Sequence, residues 1–258
     1  MIHSEGTECS DLLRKIIPFQ QWKNVQWMNR RASPREAYSP TQIEHIANVI
    51  THGIWVVPSV LAVAELLNRS VNIAQYVSAL VYGATLVLIF AISTTFHSVF
   101  YCNHHRQLKD VLHRCDRAMI YVFIAGSYFP WLSLQQLPEE GWSSVMRWFV
   151  WILAAIGIGY QQAFHERYKS LETIIYLIMG VGPSVPLMTE HDFAGASELK
   201  VGGVIYVLGI LFFKADGSIP CAHAIWHLFV VAAAAVHYFA ILNNLYPEPG
   251  IASSQQLS

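Results

Sequence analysis

Apolar residues fill most of this chain in unbroken blocks, without the every-other alternation of a half-buried strand, and polar residues are pushed into short stretches between the blocks. A helix needs about 20 mostly apolar residues to cross a bilayer. Seven blocks meet or approach that length, at 46–67, 74–101, 117–137, 147–164, 171–189, 201–213 and 219–242, the sixth being the shortest. A membrane barrel would need many more segments of alternating polarity, and lipid admits only helices and closed barrels as spanning structures. The pattern predicts an all-α membrane protein, a seven-transmembrane helix bundle over residues 44–246, flanked by a basic tail at 1–43 and a short tail at 247–258. No repeat, low-complexity segment or second domain is visible.

Composition agrees and adds an orientation. With 54% hydrophobic and 13% charged residues and a mean hydropathy of +0.37, the chain is too apolar for an ordinary soluble domain. A formal net charge of -1 leaves no concentrated basic surface for nucleic acid. The expected partners are therefore membrane lipids. Cytosolic flanks are enriched in Lys and Arg. The tail before the first block, the stretch 102–117, the stretch 165–170 and Lys214 hold about 13 of the 16 basic residues, against Arg69, Arg147 and Lys200 on the other side. This predicts a cytosolic N-terminus and a lumenal or extracellular C-terminus. No apolar segment of the signal-peptide kind follows Arg14 and Lys15. Leu12, Leu13, Ile16, Ile17, Trp22 and Trp27 make the tail either weakly amphipathic on an anionic surface or simply flexible. Cys9, Cys102, Cys115 and Cys221 all map to the cytosolic side and are expected to be reduced.

The last block carries the first sign of chemistry. Residues 219–237, IPCAHAIWHLFVVAAAAVH, put His223 and His227 four apart, on one helix face, where hydrocarbon favours Leu or Ala. Such a pair is either interhelical hydrogen-bonding glue or part of a metal site. Under the predicted topology His97 ends the second helix, Asp116 begins the third, and His223 and His227 begin the seventh, so all four fall at the cytosolic end at similar depth. Scattered glue residues have no reason to coincide in this way. His97, His223 and His227 are the expected metal ligands, since three imidazoles with an open fourth position are a catalytic zinc pattern. Asp116 is the expected acceptor for the proton of a water there. Ser93, one turn before His97, is its expected hydrogen-bonding companion. An ion pair with Arg114 or Arg117 is the competing role for Asp116, and Cys115 and Cys221 are alternative ligands.

Ser-Thr-Thr-Phe-His at 93–97, Asp116, Gly-Ser-Tyr-Phe-Pro at 126–130 and His-Ala-Ile-Trp-His at 223–227 together resemble the progestin and adipoQ receptor family, which includes the hemolysin III proteins. The resemblance runs from about Tyr38 to Tyr246. Through HRCDRAMIYVFIAGSYFPWL, MRWF, FFKADGSIP and AHAIWHLFV it is similar above all to the family's monocyte to macrophage differentiation factors. It implies seven helices, zinc held by His97, His223 and His227, and Asp116 and Ser93 at the water. It also implies residence in Golgi or late endosomal and lysosomal membranes, with the plasma membrane as an alternative, and kinship to alkaline ceramidases, which cleave a lipid amide.

Two functions of different class follow. One is a signalling receptor or regulator of endomembranes, in which zinc ties helices together and the output leaves through cytosolic loops. The other is a zinc-dependent intramembrane hydrolase of a lipid amide, with Asp116 and Ser93 as catalytic residues. Glu44, Asn48 and His52 recur every four residues on the first helix, as a polar lining to the site's mouth or as interhelical hydrogen bonds. Gly126 and Ser127 predict close helix approach and Pro130 a kink. His104, His105 and His113 are expected in a solvated loop.

Overall fold

The computed structural model describes residues 26–33, 36–102, 106–135, 142–189 and 193–246. Among them all regular structure is helical: α1 (Gln42–Arg69), α2 (Ile73–Cys102), α3 (Arg106–Leu134), α4 (Trp142–Ala163), α5 (Lys169–Val181), α6 (Ser184–Thr189), α7 (Ala196–Phe213) and α8 (Ala222–Leu245). Most of the basic tail, Cys9, His104, His105 and the C-terminal tail lie outside the described residues.

Each apolar block corresponds to helix, with two departures. The third helix starts at Arg106 and not at 117, so Asp116 lies inside a continuous helix and does not open it. Hydropathy marks only helix that meets hydrocarbon. The turns before Asp116 are charged yet rich in good helix formers such as Arg106, Gln107, Leu108 and Lys109. The fifth block is broken: α5 closes at Val181, Gly182 N–H bonds Ile178 O at 2.8 Å, and helix resumes at Ser184 after Pro183. Pro183 has no N–H to carry the ladder on.

Among the described residues four helices, α1, α2, α7 and α8, are long and apolar enough to cross a membrane. Their outward faces are apolar too, with Val57, Leu61 and Leu211 exposed by 67%, 64% and 66%. Water would not tolerate such a surface, and lipid demands it. The fold is that of an integral membrane protein.

Inside, α2 packs between α1 and α3, α4 lies on α3, and α8 packs against both α7 and α1. The core is aromatic and branched, with Tyr82, Leu86 and Phe90 of α2 meeting Tyr121, Phe123 and Trp131 of α3. As expected from the sequence, Gly126 is a close-approach point. A Cβ built there would lie 2.3 Å from Thr85 Oγ1 of α2.

One carboxylate organises the end of the bundle where α1 and α8 begin. Thr41 caps α1, its hydroxyl accepting from Glu44 N–H at 3.3 Å while Glu44 Oε2 accepts from Thr41 N–H at 2.8 Å. Glu44 Oε1 also accepts from Asn29 N–H and from Cys221 N–H, each at 3.3 Å. Of the Glu44, Asn48 and His52 stripe, Glu44 is therefore a structural anchor.

Gly126→Ala should destabilise the protein by about 1–3 kcal/mol through overpacking. At Gly159 a Cβ meets nothing within 4 Å, so Gly159→Ala should be neutral or slightly stabilising. Thermal unfolding of both variants in one detergent checks the contrast.

Candidate metal centre

His97 lies near the end of α2, and His223 and His227 in the first two turns of α8. The helix packing brings one ligand atom of each within 4.8 Å of the others. Ring centroids are 5.3 Å apart for His97 and His223, 5.2 Å for His97 and His227, and 4.7 Å for His223 and His227. His97 is 1% and His227 2% exposed.

Both nitrogens of His97, and Nδ1 of His223, are buried without a hydrogen-bond partner in the protein. Glue residues would be paired across the helices. An unmet buried polar atom costs about 1–3 kcal/mol, so converging unmet imidazoles at one point are costly unless something binds them. A soft-to-borderline divalent cation, zinc among them, fits this donor set.

Neighbours orient two of the rings. Thr51 Oγ1 donates to Ala47 O at 2.7 Å and lies 3.0 Å from His227 Nδ1. With its proton given to Ala47, the hydroxyl accepts from Nδ1–H, which leaves the Nε2 lone pair free; the tautomer is inferred from this network. Asp216 Oδ2 stands 3.8 Å from His223 Nδ1, beside the ring, and Tyr38 stacks on that imidazole with centroids 5.0 Å apart. A hydroxyl partner such as Thr51 fixes a ligand's direction and basicity, while Asp216 is near His223 without a hydrogen bond to it.

Asp116 lies in the third turn of α3, and Ser93 one turn before His97 on α2. Ser93 of α2 and Asp116 of α3 line the same cavity. The alternative ion pair of Asp116 is not formed: Arg114 donates to Gln162 O at 2.9 Å, and Arg117 pairs with Glu166 at 3.2 Å and Glu172 at 2.7 Å. Cys115 and Cys221 stay outside the cluster; Cys115 is exposed, and Cys221 caps α8 with a φ of 54°.

Ser93, Asp116, His223 and His227 all open onto a cavity of about 1080 Å³, at the upper end of the size of small-molecule sites. Arg31, Lys169 and Lys214 stand among its lining at one end, and Trp131 at the other. Asp116 and Trp131 lie fifteen residues apart on α3, which at helical rise is roughly 22 Å. The wall between them is largely apolar, including Ile120, Phe123 and Ile124.

A second group, His113, His165 and Glu166, also brings its ligand atoms together. Here the carboxylate is already answered by Arg117 at 3.2 Å and Lys169 at 2.8 Å, which disfavours a further cation. Burial holds His165, in the turn after α4, below its usual pKa and hence neutral. His113 is not a solvated loop residue as expected, because it belongs to α3 and stacks on Phe96 at 5.1 Å.

Thr51, Asp216 and Tyr38 were not singled out from the sequence. Asp216 had a signal, since it lies in the FFKADGSIP stretch, whereas nothing in the one-dimensional pattern marks Thr51 or Tyr38 as neighbours of α8.

The bundle, its motifs and this cluster converge on one class: the haemolysin-III related family, whose model matches residues 41–238 and to which the chain belongs. Over 225 residues it is 45% identical to the monocyte to macrophage differentiation factor of Homo sapiens, covering 87% of this chain and 94% of that protein. It is 33% identical to hemolysin-3 of Bacillus cereus over 213 residues, 79% of this chain and 93% of the relative. With the hemolysin-3 homolog of Bacillus subtilis the identity is 36% over 205 residues, covering 77% and 93%.

Elemental analysis of the purified protein should give about one zinc per chain, and His97→Ala/His223→Ala should remove it; full retention in the double variant refutes the ligand set. Thr51→Val should weaken zinc binding by about 10–100-fold in a chelator competition, while Thr51→Ser keeps most of it.

Proposed function

We propose that this protein is a zinc-dependent hydrolase that acts inside the membrane on a lipid amide or ester. The observation that carries the reading is the opening of His223, His227, Asp116 and Ser93 onto a long, mostly apolar cavity. A sealed cluster would suit a purely structural metal; this one adjoins room for an acyl chain. His97, His223 and His227 would hold the ion, which when bound supplies a Lewis acid and makes a neighbouring water acidic near neutral pH.

The rest is done by the chain. Asp116 takes the proton of the attacking water and returns it to the leaving amine or alcohol. Ser93, which lines the cavity with Asp116, offers its one hydroxyl proton to the developing oxyanion. The apolar wall seats the acyl chain and keeps bulk water from the reacting carbonyl.

We read the bundle as seven crossings, with α5 and α6 forming one broken span and the site near the cytosolic face; the distribution of Lys and Arg supports this. The motif resemblance supports residence in Golgi or endolysosomal membranes. A second reading has its own support in the name of the human relative, a differentiation factor. In it the same metal ties α2 and α8 together and the bundle regulates signalling through cytosolic partners.

Purified protein in nanodiscs, offered N-palmitoyl sphingosine and methyl palmitate, separates the two when released palmitate is measured by mass spectrometry. Asp116→Asn should retain zinc while hydrolysis falls by about 10²–10⁴-fold. Absence of palmitate release from zinc-loaded wild type moves the weight to the regulator.

A further inference from the structure

We infer that the basic end of the cavity holds the phosphate of an anionic lipid, with Arg31 and Lys214 as its principal partners. This deepens the reading of the cavity as a lipid site and rests on it.

Three segments far apart in the chain bring cations to this end. Arg31 comes from the stretch before α1, Lys169 opens α5, and Lys214 follows the last residue of α7. The turn after α7 fastens the first of these beside the third. Gly217 packs so closely on the N-terminal segment that a Cβ would approach Arg31 Cα to 2.4 Å, and its N–H donates to Asn29 Oδ1 at 3.0 Å.

The acids of this region do not answer all of that charge. Glu166 pairs with Arg117 at 3.2 Å and with Lys169 at 2.8 Å, and Glu172 pairs with Arg117 at 2.7 Å. Asp216 stands beside the His223 ring at 3.8 Å. Arg31 and Lys214, both exposed, have no ion pair or side-chain hydrogen bond among the described residues. Arg167 also lines the cavity, its guanidinium over the Tyr168 ring at 5.3 Å and without an acid.

Basic residues that merely flank a membrane bundle are free to spread over its rim and meet headgroups or water. These are crowded instead. Burial, and after it the charges of Lys169, Arg117 and Arg31, hold the Lys214 ammonium below its usual pKa. Cations gathered in this way need an anion among them. A phosphate monoester carries about −1.5 to −2 charges near neutral pH, which matches Arg31 and Lys214, and both side chains are suited to phosphate oxygens. The apolar wall of the cavity runs away from this same end, past Ile120, Phe123 and Ile124. A free phosphate would leave that wall uncovered, whereas a lipid phosphate brings an acyl chain to lie along it. Asp116 immediately precedes Arg117, so the carbonyl joining chain and headgroup falls close to the metal ligands.

Palmitoyl lysophosphatidate and monopalmitoylglycerol differ only in the phosphate. Their affinities should be compared by displacement of a fluorescent monoacylglycerol from protein in phosphatidylcholine nanodiscs. All proteins carry Asp116→Asn so that turnover does not contribute.

The phosphate lipid should bind at least about 10-fold more tightly than the neutral one in this parent. Adding Arg31→Gln/Lys214→Gln should abolish the preference while monopalmitoylglycerol affinity and zinc content stay unchanged. Adding Arg106→Gln/Lys109→Gln, which removes two cations of α3 outside the cavity lining, should keep it. Equal affinities in the parent overturn the proposal, as does a preference that survives the first pair or falls equally with the second, the sign of a diffuse surface charge. Millimolar inorganic phosphate, at ionic strength held with chloride, should leave the preference in place; its loss would assign the cations to free phosphate and refute a lipid headgroup. If the Arg31/Lys214 double variant does not fold, Lys214→Gln alone decides, since a preference not reduced by at least about 3-fold is fatal. Failure of wild type to hydrolyse any lipid counts against the hydrolase alone, and the phosphate preference is read without turnover.

Discussion

Imidazole nitrogens buried without protein partners set the terms for the rest of this molecule. An unmade hydrogen bond in an apolar interior costs about 1–3 kcal/mol, and a whole domain is stable by only about 5–15 kcal/mol. His97, His223 and His52 together bring five such atoms to one end of the bundle. No arrangement of the surrounding apolar residues can relieve them. A bound cation would engage one nitrogen of His97 and one of His223, so binding and folding are linked at this site. The helix packing answers to the same demand: α2 and α8 do not form the most extensive neighbouring pairs, yet their histidines meet.

The meeting depends on where α8 starts. Cys221 adopts a left-handed φ of 54°, an unfavourable conformation for a residue with a Cβ, and its N–H is held by Glu44. The same carboxylate holds Asn29, whose side chain accepts from Gly217 N–H at 3.0 Å. Gly217 has a φ of 73° and lies so close to the Arg31 backbone that a Cβ would approach Arg31 Cα to 2.4 Å. A segment before α1, the turn before α8 and the first turn of α1 are thus fastened to one another. Two residues after Cys221 comes His223, its ring covered by Tyr38 of the same N-terminal segment. The strap sets the ligand's direction from outside the hydrocarbon.

Much of this was legible in the sequence, for a physical reason. Hydrocarbon tolerates few polar residues, so Ser93, His97, Asp116, His223 and His227 stood out against their blocks, and the distribution of Lys and Arg brought them to one end. What stayed hidden depends on neighbours and not on composition. Thr51 is an ordinary helix residue until α8 lies against it. For Glu44 the sequence left open a mouth-lining role or interhelical hydrogen bonds, and it is a backbone anchor whose partners come from segments 15 and 177 residues away. The start of α3 was missed because charged turns in contact with water escape a criterion based on apolarity, and with it the place of His113 within that helix.

The ion-pair node around Arg117 completes the site. Asp116 precedes this arginine in the chain and would be neutralised as a proton acceptor if the guanidinium folded onto it. Glu166 and Glu172 hold Arg117 at 3.2 and 2.7 Å, and Tyr176 donates to Glu172 at 2.9 Å. Glu166 reaches that position from a left-handed backbone with a φ of 59°, a conformation that persists only where surrounding contacts over-determine it. Here Lys169 and Arg117 do so. The strained turn between α4 and α5 thereby draws a cation away from Asp116, leaving the carboxylate to whatever enters the cavity.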